Sequence, residues 1–166
     1  MRSIGTTAAM TAMLIAVCFV FSAAAQQGKT YTHSDGGIEF TAPDKWEAET
    51  EGDMLTLSSP DGAIGVFFLV VDAKDLEVAV DALTSELDKI ITDAKLTSEG
   101  SETMINGLNA FYADGSGKLD GVPIEFGVML VAGKKPVMIL AVGESTSLKQ
   151  HEADVTALMK SIKPVK

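Results

Sequence analysis

Two histidines, one cysteine and 23 acidic residues are the groups most able to do chemistry in this 166-residue chain. His33 and His151 are the only histidines, no H-x-H or H-x-x-x-H spacing occurs, and Cys18 is the only cysteine. Structural zinc is almost always four-coordinate with Cys and His ligands, so no metal is expected, nor any cofactor. His151 lies three residues after Leu148 and four before Val155. That places it at the edge of an apolar helical stripe, as a half-buried packing residue. His33, beside Asp35 in an N-terminal arm, reads as a solvated edge residue. The stretch Asp114-Gly115-Ser116-Gly117-Lys118-Leu119-Asp120-Gly121 carries fragments of two loops. As a calcium loop it puts Lys118 at a ligand position and lacks the closing glutamate. As a phosphate loop it lacks the upstream glycine, the following Ser/Thr and a helix. It reads as a hairpin turn with polar edges. Ser116 is without a G-x-S-x-G elbow, so a serine hydrolase has little support.

The carboxylates are more suggestive. Glu47, Glu49, Glu51 and Asp53 cluster around Trp46. The ordinary reading is a solvated acidic loop, with the tryptophan capping one end of a core. The functional reading is an acidic lip on a partner-binding surface, with Trp46 as its aromatic anchor. Carboxylate pairs for glycoside hydrolysis are defined by a separation that sequence does not carry. Beyond residue 25 the chain has 12 lysines against 23 acids, a net charge of −11, and no arginine. Phosphate contacts rely on Arg and Lys patches, so nucleic acid and anionic membrane surfaces are poor partners.

Residues 1–25 differ in kind. Met1-Arg2-Ser3 is a short positive start, Ala8 to Phe21 is apolar, and Ser22-Ala23-Ala24-Ala25 offers the small residues that signal peptidase reads. The apolar run falls short of the ~20 residues that span a bilayer, and no basic stop-transfer cluster follows. A cleaved secretory signal is expected, with export to a periplasmic or extracellular space after cleavage near Ala25 and no stable membrane anchor. Lipidation of Cys18 is disfavoured, because Val17 stands where a small residue is required and the apolar run continues past the cysteine. What remains has no cysteine for a disulfide, a thiolate metal site or a nucleophile. A domain of ~140 residues buries about two-thirds of its unfolded surface and needs no such staple.

The elements that must position these groups follow from periodicity. After a polar lead-in at 26–30, a single domain is expected over 31–166. Tyr31 to Ser34 and Ile38 to Ala42 read as extended, with Leu55–Leu57 a second strand and Ile64–Val71 a third after Pro60-Asp61-Gly62. Trp46 falls in a polar stretch between the first two. Asp72 is a candidate N-cap for a helix whose stripe runs Leu76, Ala79, Val80, Leu83, Leu87, Ile90, Ile91, Ala94. A segment near Lys95 to Ile105 ends in the hairpin pair Asn106-Gly107. Strands at Asn109–Leu119, Val122–Ala132 and Pro136–Gly143 come next. Ser147 with Gln150 forms a capping box for a last helix carrying Leu148, Val155, Leu158, Met159 and Ile162. In Ile64–Val71, Phe126–Val131 and Val137–Val142 both alternating sets are apolar, so both sheet faces must be covered. One helix per face gives an α+β fold: a single antiparallel sheet of six to seven strands in β-β-β-α-β-β-β-α order, an α/β/α sandwich. A two-sheet sandwich would leave both helix stripes without a partner.

Tyr31, then Gly37-Ile38-Glu39-Phe40-Thr41-Ala42-Pro43-Asp44-Lys45-Trp46, resembles the opening of the Mog1/PsbP-like families, an extended segment running into P-x-x-W. The turn Ser58-Ser59-Pro60-Asp61-Gly62, the first helix, the turn Ile105-Asn106-Gly107-Leu108-Asn109-Ala110 and the closing Ser161-Ile162-Lys163 recur in the same order. The likeness covers nearly all of the chain after residue 25 and rests on turns and aromatic anchors. It implies an α/β/α sandwich and an accessory or binding role, since known members assist larger assemblies and are generally not enzymes. None of the family's metal-related positions finds a matching motif. The leading expectation is a monomeric, exported, non-catalytic accessory protein that engages another envelope or secreted protein. The alternative is a carrier for a small apolar ligand between the sheet and the long helix, lined by Met54, Met104, Met129, Met138 and Met159. A hydrolase-type enzyme is third.

Overall fold

A computed structural model describes residues 28–166. The expected signal segment, Cys18 and the first residues of the lead-in lie outside the described residues. The architecture is α+β. Strands β1 (Thr30–His33), β2 (Ile38–Thr41), β3 (Glu47–Glu51), β4 (Met54–Ser58) and β5 (Ile64–Val70) precede helix α1 (Leu76–Leu87). Then come β6 (Thr92–Leu96), β7 (Ser101–Ile105), β8 (Leu108–Leu119), β9 (Val122–Ala132) and β10 (Pro136–Gly143). Helices α2 (Ser145–Gln150) and α3 (Glu152–Ser161) and a short β11 (Lys163–Pro164) finish the chain.

Eight strands form one antiparallel sheet in the order β3-β4-β5-β10-β9-β8-β6, with β7 also paired to β8. The single sheet of six to seven strands in β-β-β-α-β-β-β-α order is corrected here: five strands precede α1, five lie between α1 and α2, and β1, β2 and β11 make a separate three-stranded sheet. The reason lies in β2. Ile38 and Phe40 are fully buried, and Phe40 stacks on Phe68 of β5 with ring centroids 4.0 Å apart. The hairpin therefore lies across the large sheet and burial of its apolar side decides its place, where an added edge strand would leave those residues in water.

The doubly apolar strands behave as their pattern requires. From β10, Val137, Ile139 and Ala141 enter one core while Met138, Leu140 and Val142 enter the other. The first core lies under the small sheet and α3 and includes Leu158, Met159 and Ile162. The second lies under α1, through Ala79, Leu83 and Leu87. The turns Asn106-Gly107 and Asp120-Gly121 both have positive φ at both residues, which matches the twist of two-residue hairpins.

Local corrections have local causes. The polar stretch after Trp46 is strand β3: on a sheet edge it needs only its ladder to β4 and one half-buried residue, Ala48. Asp75, not Asp72, caps α1, accepting from the Val78 amide. The helix ends at Leu87, so Ile90 and Ile91 of the expected stripe fall in the connection after it and Ala94 falls in β6. Ser147 sits inside α2, whose cap position is Glu144, so no capping box forms. Asp114 to Leu119 continue β8, and only Asp120-Gly121 turns. His33 is buried, its Nδ1 accepting from the Gly36 amide at 3.2 Å, so it is not a solvated edge residue.

Candidate functional site

The two cores are not covered to the same extent. On the α2–α3 side, β8 presents Ala110, Tyr112, Asp114 and Ser116 in turn, and β9 presents Val131, Met129, Gly127 and Glu125 beside them. Both series run from apolar to polar along the same direction. The helical cover thins in step: α3 buries Leu158 and Met159, whereas the most that α2 contributes is the half-buried Leu148. An open groove of about 1130 Å³ results, floored by β8 and β9, bordered by β7 and walled by Leu148, Val155, Thr156 and Met159.

Tyr112 and Asp114 hold the centre of the floor. The phenol donates to Asp114 Oδ1. Its pKa is pushed up to about 12, first by burial and then by the neighbouring carboxylate. It therefore remains a protonated donor at neutral pH. Opposite Asp114 stands Gly127, where a Cβ would lie 3.2 Å from the Tyr112 oxygen. Any larger side chain there would intrude on the floor. Glu125 and Glu152 add negative charge, Lys149 and Lys160 positive charge along the helical wall.

A second polar cluster lies at the α2–α3 junction. His151 Nε2 is 3.0 Å from Asp61 Oδ2, and Nδ1 is 3.7 Å from Asp154. Asp61 Oδ1 accepts from the Ser59 hydroxyl at 2.6 Å and from the Ala63 amide at 3.1 Å. These bonds, Ser59 first and His151 second, hold the Asp61 carboxyl well below the usual range. Ser59 also accepts from the Ile64 amide, so its oxygen is engaged twice and buried. In a nucleophilic triad the base sits between serine and acid; here the acid sits between serine and histidine. The arrangement pins a turn to a helix.

The sequence-derived cluster comes apart. Trp46 is 6% exposed, packed in the first core, edge-on to His151 at 6.0 Å, with its indole nitrogen buried and without a hydrogen-bond partner among the described residues. Glu47, Glu49 and Glu51 alternate along β3 and are exposed, with Asp53 in the β3–β4 turn. Their register partners are Ser58, Thr56 and Met54, while Ala48 pairs with Leu57 on the core side. The tryptophan and the glutamates thus do not share a surface. Charges on an edge strand oppose edge-to-edge pairing. Of the named methionines, Met129 and Met159 line the groove and Met104 borders it, on the side opposite α1, while Met138 is in the α1 core and Met54 is half-buried on β4. His151 is half-buried as expected, but with two acidic partners that sequence reasoning did not foresee. The groove itself had a signal: one parity of β8 and β9 turns polar at Asp114, Ser116 and Glu125 while the other keeps Phe111, Ala113, Phe126 and Val128.

Among the described residues no group of three or more His, Cys, Asp or Glu could hold a metal ion, and no helix is long and apolar enough to cross a membrane.

No family model and no curated protein matches the sequence. Solved structures do. The solution structure of cyanobacterial PsbP (CyanoP) from Synechocystis sp. PCC 6803 aligns with TM-score 0.58 at 10% identity, over 86% of this chain and 95% of that one. LpqN of Mycobacterium tuberculosis, involved in cell envelope biogenesis, aligns with TM-score 0.54 at 14% identity, over 81% and 88%. A Bacteroides thetaiotaomicron crystal structure aligns with TM-score 0.53 at 15% identity, over 84% of this chain. This chain spans about half, 49%, of that protein's length. At such identities the likeness concerns architecture, and it agrees with the Mog1/PsbP-like resemblance of the turns and aromatic anchors: the chain has a PsbP-like fold.

Proposed function

We propose that this protein is an exported, non-catalytic accessory protein that holds a segment of another envelope protein in the groove between β8–β9 and the α2–α3 wall. The observation that carries the reading is the shape and lining of the groove. It is open to solvent, whereas small-molecule sites are concave and bury roughly 70–90% of their ligand. Apolar side chains (Met129, Leu148, Val155, Met159) lie beside charges of both signs, as suits a chain segment with an apolar stripe. Export rests on residues 1–25, and LpqN shows the same fold in a protein tied to the cell envelope. The non-catalytic reading is supported by the state of the candidate groups: Ser59 is committed to two structural bonds and Tyr112 keeps its proton.

A second reading, carriage of a small apolar ligand, is favoured by Met129 and Met159, which adapt to varied apolar shapes. Native mass spectrometry of the protein from its exporting host separates the two, with Gly127→Leu as the variant that fills the floor. A co-purifying protein that Gly127→Leu loses supports the accessory reading. A small-molecule mass excess lost by the same variant supports the carrier. A partner that survives Gly127→Leu but is lost when Glu47, Glu49 and Glu51 are changed to Gln overturns the groove and moves the contact to the acidic strand.

A further inference from the structure

The wall of the groove is tied down unevenly. At the C-terminal end of α3, the Asn106 side chain donates to the Lys160 and Ile162 carbonyls at 2.8 and 2.7 Å. Ser161 Oγ accepts from the Thr41 amide at 2.9 Å, and Lys163 pairs with Glu39 at 3.1 Å. Leu158, Met159 and Ile162 are buried beneath. Residues 145–157 are held very differently. No residue of α2 is buried, and Leu148 and Val155 are half-buried. Among the described residues, the only side-chain hydrogen bond from 145–157 to the rest of the molecule is His151 Nε2 to Asp61 Oδ2. His151 is also where the helix breaks: it is the last cap of α2 and the first of α3, with φ −99° and ψ 9°. Asp61 is a rigid post for this contact, because Ser59 and the Ala63 amide fix its other oxygen.

We propose that residues 145–157 are a movable wall of the groove and that the His151–Asp61 hydrogen bond is its latch. The proposal deepens the groove reading and rests on it for its purpose, although the motion itself needs no occupant. Elements with few buried apolar contacts and few tertiary hydrogen bonds open at low free energy, and this wall depends on one such bond. With the latch made, the wall leans on the sheet beside Trp46; with it broken, the wall bows away from the sheet between its two fixed ends, Gly143 of β10 and the anchored end of α3, and widens the groove.

Amide hydrogen exchange on the full chain, without ligand, tests this directly. His151→Leu removes the bond, keeps an apolar side chain against Trp46 and leaves Asp61 with Ser59 and Ala63. Exchange over 145–157 should quicken about tenfold, the scale of one lost hydrogen bond, with α1, β9 and β10 unchanged. His151→Gln, whose amide can still donate to Asp61, should stay nearer the wild type, and it carries the test if His151→Leu does not fold. Trp46, the only tryptophan, gives a second readout: its emission should shift and its quenching by acrylamide rise in His151→Leu alone. Unchanged exchange over 145–157 in His151→Leu overturns the latch, and so does faster exchange spread evenly over the whole fold. A latch that behaves as expected in a protein with no groove-dependent partner would leave this inference standing and remove the groove reading.

Discussion

Under α1, β8, β9 and β10 present Ala113, Phe126, Val128, Leu130, Met138 and Leu140, all buried. On the opposite face the same strands begin alike, with Ala110, Met129, Val131 and Ile139, and then change to Tyr112, Asp114, Ser116 and Glu125. One face is sealed by a twelve-residue helix with a side-chain cap; the other is shared between a small sheet and a broken helix that leaves its polar end bare. Since both faces are made by the same backbone, the difference is carried by alternate residues of two strands. Uniform apolarity on one parity makes the closed core, and a polarity gradient on the other leaves the groove open.

The largest test of that contrast is truncation on each side. Phe126→Ala, beneath α1, should cost about 3–5 kcal/mol in denaturant unfolding. Leu148→Ala, on the half-buried groove wall, should cost less, about 1–2 kcal/mol, because part of its side chain stays in water. Equal costs would mean that the α2–α3 side is as firmly packed as the α1 side. Next in size is the helix cap: Asp75→Ala should lower stability by about 1 kcal/mol, again by chemical denaturation.

Tyr112 gives a sign as well as a size. Its folded pKa lies above the usual phenol value of about 10. Its contribution is therefore fully present below pH ~10 and is lost as pH rises toward about 12. An ultraviolet titration of the phenolate should show a late component that Tyr112→Phe removes. Asp61 has the opposite sign: its carboxyl is held low, so its contribution is present above the ordinary carboxylate pKa of about 3.9 and declines as pH falls below it. The smallest effects belong to β3. Changing Glu47, Glu49 or Glu51 to Gln should each move stability by no more than about 0.5 kcal/mol. The triple variant should self-associate more in sedimentation velocity, because the edge loses its charges.

Much of the fold could be read from patterns that are local. The strands Val122–Ala132 and Pro136–Gly143 match their expected bounds, and two-sided apolarity required cover on both faces. What escaped was set by tertiary burial. Ile38 and Phe40 read only as an alternating strand, and nothing in that pattern says that they cross the sheet instead of extending it. Glu47–Glu51 lacks the apolar alternation of a half-buried strand and is a strand because β4 offers it a ladder. The site was less legible. Asp61 and His151 are 90 residues apart, and Asp114 was absorbed into a turn motif, though its alternation with Tyr112 and Ser116 held the clue.

The most direct measurement places a photo-cross-linking residue at Thr156, on the groove wall, and separately at Asp81, exposed on α1, in the protein expressed in its exporting host. The account predicts a discrete protein adduct from Thr156 that Gly127→Leu abolishes, and none from Asp81. Adducts from Asp81 alone, or adducts from Thr156 that survive a filled groove, would contradict it.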